Sequence, residues 1–119
     1  MARDMAIVTT WGNAIPGREA KALEVLMESL GFWANRAAEG KCSEPEVFIA
    51  DDASGGILII KGTADALREI AESDEGQKVL EKAQLIVSDL KSHWYYTGDA
   101  EVQRSTSMYA QAAGELGYM

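Results

Sequence analysis

The sequence has a single cysteine and a single histidine among its 119 residues. Cys42 therefore has no intramolecular partner for a disulfide, which fits a reducing compartment. Lys41 is the one cationic residue beside it, so we expect an unreactive thiol. Because His93 is alone, no group of His and Cys residues has the spacing of a structural zinc site.

Long hydrophobic runs and an excess of positive charge are also missing. No apolar run approaches the length of about 18 residues that a membrane-spanning helix needs. Residues 1–4 lead into a strand-like segment without a signal region. Eleven Lys and Arg against 19 Asp and Glu give a net charge of -8, which would repel a nucleic-acid backbone. We therefore expect a cytoplasmic protein that binds neither membranes nor nucleic acids.

The centre of the sequence predicts a β-hairpin whose strands are apolar on both faces. Two short apolar runs, Val47 to Ala50 and Ile57 to Ile60, flank a turn rich in Asp and Gly at positions 51–56. The turn lacks the alternating oxygen ligands of a calcium loop, so its aspartates are interpreted as turn residues. Successive side chains of a strand point to opposite faces, and here both sets are apolar. Both sides of the sheet therefore need cover.

Further elements flank this hairpin. A strand is predicted over Met5–Trp11, an amphipathic helix over Arg18–Ala38 and a fourth strand over Leu85–Tyr96. Thr63 is placed to cap a second helix, which is interrupted at Ser73. The first helix carries apolar residues at spacings of three and four, which predict one buried stripe: Leu23, Leu26, Met27, Leu30, Ala34 and Ala37.

The predicted order of strand, helix, strand, strand, helix, strand is the ferredoxin-like βαββαβ arrangement of the α+β class. Right-handed crossovers then place both helices on one face of a four-stranded antiparallel sheet. We assign residues 1–97 to this single domain. Residues 98–119 form a C-terminal tail, polar at first and weakly helical from Met108, which either frays or packs as an arm on a partner subunit.

The second apolar face of the sheet has no helix left to cover it. A soluble monomer rarely exposes an apolar patch on the order of several hundred square ångströms. A two-fold dimer with its sheets face to face would bury the patch, because a self-complementary surface closes the assembly. We therefore expect a homodimer that pairs through its sheets.

The passage from Glu72 to Leu90, with Ser73-Asp74-Glu75-Gly76 ahead of Val79 and Leu80, completes a pattern that resembles the dimeric α/β-barrel superfamily. The resemblance covers residues 4–97 and leaves the tail without a counterpart. The superfamily includes antibiotic-biosynthesis-type monooxygenases, haem-degrading monooxygenases and muconolactone isomerase-like proteins. The resemblance implies a sheet-paired dimer that holds a small, often aromatic or haem-like ligand between sheet and helices.

In the haem-degrading branch, the resemblance implies a site made of an Asn, a Trp and a His, with the His on the second helix. Trp11 and Asn13 stand near the end of the first predicted strand, but the second predicted helix has neither His nor Trp. The sequence therefore departs from the haem-degrading pattern. Trp11 and Asn13 stay candidates for ligand binding.

His93 is the candidate catalytic residue, because an imidazole could act as a general base toward a bound phenol or enol. The alternative is a histidine in solvent or at an interface. Trp11, Trp33, Trp94 and Tyr96 are candidates for the walls of an apolar pocket that takes a planar ligand. Their alternative role is to fill the core.

Two functions follow from these patterns. The first is a cofactor-independent monooxygenase or isomerase that acts on a small aromatic or polyketide-like compound. The second is a non-catalytic module for binding a small ligand or for oligomerisation. A closed cavity lined by at least two of Trp11, Trp33, His93 and Trp94 would favour the enzyme. A solid core with His93 in solvent would favour the module.

Overall fold

Four strands and four helices follow one another in residues 3–119, the part of the chain that the computed structural model describes. In chain order they are β1 (Asp4–Trp11), α1 (Glu19–Ala38), β2 (Glu46–Ile49), β3 (Gly56–Thr63), α2 (Ala64–Glu72), α3 (Asp74–Gln84), β4 (Lys91–Tyr96) and α4 (Asp99–Glu115). The strands form one antiparallel sheet in the order β2-β3-β1-β4. The predicted ferredoxin-like fold is confirmed, with its second helix divided into α2 and α3.

The register of β1 decides which side chains share a face of the sheet. Ile7 lies opposite Ile60, and Val8 lies opposite Ile59. Opposite residues of antiparallel strands point to the same side. We call the side with Ile7 the covered face and the side with Val8 the open face.

The covered face carries the hydrophobic core. Met5, Ile7, Leu58 and Ile60 point from it and form one buried cluster with Leu67 of α2. The side chains of Leu67 and Ile60 are 0% and 1% exposed. Residues of α1 pack against the same cluster, so α1 and α2 lie on this side of the sheet.

The open face also carries apolar side chains, as the sequence predicted. Val8 and Ile59 are half-buried, and Ala6 is buried between its neighbours. Phe48 and Tyr95 on the same face remain 51% and 53% exposed. Both surfaces of the sheet are therefore apolar, and this second one keeps large side chains in contact with solvent.

The buried side of α1 differs from the predicted stripe. Leu23 and Met27 belong to that stripe but are about three-fifths exposed, whereas Ser29 and Phe32 are buried. Phe32 packs edge-on against Trp33, with ring centroids 5.2 Å apart. Because α1 also contacts α3, its buried side faces a helix as well as the sheet. Phe32 lies off the predicted stripe, and its position fits this second contact.

Two hydroxyl side chains set the starts of α2 and α3. Oγ1 of Thr63 accepts a hydrogen bond from the N–H of Ala66 at 3.3 Å, and Oγ of Ser73 accepts one from the N–H of Gly76 at 3.1 Å. The Ser73 hydroxyl also donates to the carbonyl of Ile70 at 2.6 Å. Ser73 thus ends α2 and caps α3, which confirms the predicted interruption.

The predicted fourth strand over Leu85–Tyr96 is wrong in its first half, because β4 begins at Lys91. The N–H of Leu85 donates to the carbonyl of Lys82, which extends the last turn of α3 into this segment. Asp89 has a left-handed backbone with φ of 54°. Such a residue breaks the alternation of side chains that a strand requires.

Residues 86–88 pair with the loop that follows β1. The N–H of Gly12 donates to the carbonyl of Ser88 at 2.8 Å, and the N–H of Ile15 donates to the carbonyl of Ile86 at 2.9 Å. The N–H of Ser88 donates in return to the carbonyl of Asn13 at 2.9 Å. These bonds fix the segment after α3 beside the end of β1.

The C-terminal residues form a longer helix than the predicted one, which started at Met108. α4 begins at Asp99, after Gly98 turns the chain with φ of 90°. The negative charges of Asp99 and Glu101 in the first turn stabilise the helix, because they lie at the positive end of its dipole. The radius of gyration is 16.9 Å, against about 13.5 Å for a compact domain of this length, because α4 projects from the domain. No helix within residues 3–119 is both long enough and apolar enough to span a membrane.

Candidate active site

A cavity of about 430 Å³ lies between the covered face of the sheet, α1 and the segment that follows α3. It is at the end of the sheet where β1 finishes and β3 begins. Its lining is largely apolar: Thr9, Trp11, Gly12, Ala14, Glu19, Ala22, Leu23, Val25, Leu26, Ser29, Ile49, Ala53, Gly55, Leu58, Ala83, Ile86, Val87 and Leu90. Leu23 and Ile49 are more than half exposed, so they lie at its mouth.

Glycines allow the indole of Trp11 to form one wall of this cavity. Trp11 lies opposite Gly56 across the β1–β3 pair, on the covered face. A Cβ at Gly56 would stand 2.6 Å from Cζ2 of Trp11 and 2.7 Å from the carbonyl oxygen of Phe48. Gly55 has φ of 139°, a conformation that side chains strongly disfavour. The backbone of β3 can therefore approach the ring closely.

Three polar side chains line the cavity. The hydroxyl of Ser29 donates to the carbonyl of Val25 at 2.8 Å, which leaves its oxygen able to accept a hydrogen bond from a ligand. Oγ1 of Thr9 lies 2.6 Å from Oγ of Ser92. Both groups can orient a ligand in an apolar site.

The third polar side chain, Glu19, is exposed and starts α1. Its carboxylate oxygens accept from the N–H of Gly17 at 3.0 and 3.2 Å. That bond joins Glu19 to the loop ahead of α1 and holds the carboxylate beside the cavity. Glu19 is the one charged residue among the cavity's described lining residues.

The aromatic candidates are distributed over the covered face, and of these only Trp11 lines the cavity. Trp94 and Trp33 pack against the hydrophobic core, and the guanidinium of Arg68 lies 5.4 Å from the ring centroid of Trp94. The Tyr96 hydroxyl accepts a hydrogen bond from Arg3 at 2.7 Å. Trp33, Trp94 and Tyr96 thus have structural contacts, and their part in ligand binding stays a prediction.

The two remaining candidates also lie outside the cavity lining. His93 is opposite Val8 on the open face, and its ring stacks on Tyr95 with centroids 6.4 Å apart. Asn13 is exposed, and its backbone carbonyl rather than its side chain binds Ser88. The sheet separates His93 from the cavity of its own chain, so a catalytic role for His93 stays a prediction.

Sequence reasoning missed most of the cavity lining. Val25 and Ser29 come from the side of α1 that the predicted stripe left out, and Ile86 and Val87 come from the segment that was predicted as strand. The glycines around Trp11 were the available signal. A tryptophan at the end of a strand, followed by Gly and facing a Gly-Gly pair, indicates close approach of backbone to ring.

Cys42 and Glu39, which lie outside the cavity lining, have shifted pKa values. Burial, together with the charge of Glu44, raises the pKa of the Cys42 thiol, which agrees with an unreactive cysteine. The guanidinium of Arg36 donates to Glu39 at 2.8 Å and to Glu75 at 3.1 Å, joining α1 to α3. The hydrogen bond from Arg36 lowers the pKa of Glu39.

Within residues 3–119, no three His, Cys, Asp or Glu side chains are grouped so as to hold a metal ion.

Solved structures share the fold of this chain. SnoaB, a cofactor-independent oxygenase from Streptomyces nogalater, matches with a TM-score of 0.65 and 13% identity over 81% of this chain and 94% of SnoaB. Rv0793 from Mycobacterium tuberculosis matches with a TM-score of 0.66 and 13% identity over 81% of this chain and 96% of Rv0793. The chain therefore shares the ferredoxin-like α+β fold of these structures.

A third structure, a Deinococcus radiodurans protein proposed to be an antibiotic biosynthesis monooxygenase, has a TM-score of 0.62 and 18% identity over 80% of this chain and 93% of that protein. No protein-family model matches the sequence, and no curated protein is significantly similar to it. The resemblance noted from the sequence is therefore confirmed at the level of the fold.

Proposed function

We propose that this protein is a cofactor-independent monooxygenase or isomerase that binds a small aromatic or polyketide-like compound in the cavity beside Trp11. The cavity itself is the observation that carries the proposal. Its volume of about 430 Å³ lies within the range of about 300–1,000 Å³ that is usual for small-molecule sites. Its apolar lining suits a planar, weakly polar ligand.

The polar groups at the cavity suggest how the ligand would be oriented. One hydroxyl of the ligand would donate to Oγ of Ser29, while the ring lies against Trp11. A second, reacting phenol or enol hydroxyl would point toward Glu19, about 15 Å from Ser29 along α1. A reaction that begins with loss of the hydroxyl proton needs a base within hydrogen-bond reach. Glu19 is the carboxylate at the cavity mouth, and we propose it as the proton acceptor in preference to His93.

Replacing Glu19 and His93 separately shows which of these two candidates is the base. Under this proposal, Glu19→Gln lowers kcat by about 100-fold or more, since general-base catalysis contributes about 10²–10⁴-fold. His93→Ala, on the open face, leaves kcat within about 3-fold. The reverse result would make His93 the base and would place the reaction on the open face rather than in the cavity.

We also propose that two copies pair through their open faces. Phe48, Tyr95 and their apolar neighbours would then leave solvent, with a gain of about 25 cal/mol for each Å² of apolar surface buried. The pairing would be isologous, because each copy offers the same patch. In such a dimer the cavities lie on the outer sides of the paired sheets, where a ligand can enter.

Filling the cavity is the direct test of ligand binding. Ala22 lines the cavity, whereas Ala110 is exposed on α4, so Ala22→Phe and Ala110→Phe add the same ring inside and outside it. We expect Ala22→Phe to abolish binding of an apolar naphthalene-type fluorescent probe and Ala110→Phe to preserve it. Equal binding by the two variants would contradict the proposed site.

The second candidate function is a non-catalytic module that binds a small ligand. It is favoured by two observations. Of Trp11, Trp33, His93 and Trp94 only Trp11 lines the cavity, and the polar side chains Thr9 and Ser29 of its buried and half-buried lining carry hydroxyls rather than charges. Turnover of a bound phenol, followed by oxygen uptake for a monooxygenase and by isolation of an isomer for an isomerase, distinguishes the enzyme from the module. Binding without turnover would favour the module.

A further inference from the structure

α4 carries an apolar stripe that is largely exposed. Its members lie within an arc of about 140° when residues are placed every 100° around the helix, and the half-buried Glu101 and Ser105 share that arc. The stripe consists of Val102, Met108, Tyr109, Ala112, Ala113 and Leu116. The side chains of Tyr109 and Leu116 are 76% and 72% exposed, and those of Val102 and Met108 about one-half.

A helix of this kind needs a packing partner. α4 has 17 residues and contacts mainly β4, and most of the stability of a helix in a protein comes from packing of its apolar face. The exposed apolar area of the stripe is on the order of 400 Å², comparable with the largest patch that a monomer normally exposes. We therefore expect the stripe to be covered in solution.

The position and length of α4 favour a second copy of this chain as the cover. α4 follows the edge strand β4, whose Tyr95 belongs to the open face. It is about 25 Å long at 1.5 Å per residue, whereas stacked sheets lie about 10 Å apart. A helix that starts at this edge can therefore span the gap between two paired sheets and lie on the other copy.

The structural neighbours are consistent with α4 as an addition to the common fold. They match 80–82% of this chain but 93–98% of their own chains. About one-fifth of this chain thus has no counterpart in them. Residues 98–119 make up a similar fraction, 22 of 119 residues.

We propose that α4 is an arm whose apolar stripe packs on a second copy of this chain, so that the two copies exchange helices. This inference rests on the proposed pairing of open faces. Two exchanged stripes would together supply part of the roughly 1,200–2,000 Å² that a stable interface buries. The paired sheets would supply the rest.

Charge substitutions on two sides of α4 test the arm in the full chain. Tyr109→Glu with Leu116→Glu places two charges in the stripe, whereas Gln103→Glu with Gln111→Glu places the same charges on the opposite side. We expect the stripe pair to weaken dimerisation by about 100-fold or more, because unpaired charges would be buried at the interface. The control pair should change the dimer Kd by less than about 3-fold in sedimentation measured with a fluorescent label.

Zero-length cross-linking shows which copy the arm touches. Carbodiimide coupling joins Glu115 to a lysine amine, and mixing ¹⁴N and ¹⁵N copies marks links between chains by mass. Mixed-isotope links support the arm. Links confined to one copy would mean that α4 folds back on its own domain and would overturn the inference.

The outcomes separate the arm from the proposals on which it rests. A dimer that both Glu pairs leave unchanged overturns the arm and preserves the pairing of sheets. A full chain that stays monomeric overturns both. Binding of the fluorescent probe in the cavity is measured independently and decides the ligand site in either case.

Discussion

Adding one methyl group at Gly56 should disturb both the sheet and the proposed site. The new Cβ would stand 2.6 Å from Cζ2 of Trp11 and 2.7 Å from the carbonyl oxygen of Phe48. The indole can shift, but the carbonyl belongs to the paired backbone of β2. Overpacking of this kind costs about 1–3 kcal/mol, so we expect Gly56→Ala to lower the free energy of unfolding by that amount.

Gly31 provides the matched control for this substitution. It lies inside α1, and a Cβ there would meet no atom within 4 Å. Gly31→Ala should therefore raise the free energy of unfolding by about 0.5–1 kcal/mol, because alanine favours the helix. Urea unfolding of both variants measures the difference. If the Gly56→Ala variant were as stable as the wild type, the cavity wall formed by Trp11 would not depend on the close approach of β3.

The remaining predictions concern caps and titratable groups. Ser73→Ala should cost about 1 kcal/mol in urea unfolding through loss of a helix cap, while Ser107→Ala, at an exposed position, stays within about 0.5 kcal/mol. The lowered pKa of Glu39 stabilises the fold above its ordinary value of 4.5, and this contribution is lost as pH falls through the lowered value. Glu39→Gln should therefore have a lower free energy of unfolding than the wild type, and this difference should shrink below pH 4.5. A difference that does not change with pH would contradict the pairing of Glu39 with Arg36. Because the pKa of the Cys42 thiol is raised above its ordinary value of 9.0, its labelling by a disulfide reagent should be slow at neutral pH and become faster only as the pH rises past that value. Rapid labelling at pH 7 would contradict the unreactive thiol.

Much of the fold follows from local patterns in the sequence. The alternation of side chains predicted strands that are apolar on both faces, Thr63 was predicted to cap the second helix, and Ser73 was predicted to interrupt it. These signals are local because side-chain direction in a strand and hydrogen bonding at a helix start depend on a few adjacent residues. Long-range pairing then followed from the order of the elements.

Features that depend on distant contacts were not predictable in this way. Leu85 to Leu90 has apolar residues on both parities, yet it bonds to the loop after β1 and prolongs α3. The side of α1 that includes Ser29 faces a cavity, and a void between elements leaves no pattern in the sequence of either. The identity of the residues around Trp11 therefore required the three-dimensional arrangement.

Native mass spectrometry of the full chain tests the central claim most directly, namely that a sheet with two apolar faces and helices over one of them must be covered by a second copy. The chain has a mass of 12.9 kDa. We expect the main species to have twice that mass at micromolar concentration. A main species of 12.9 kDa under the same conditions would contradict the claim.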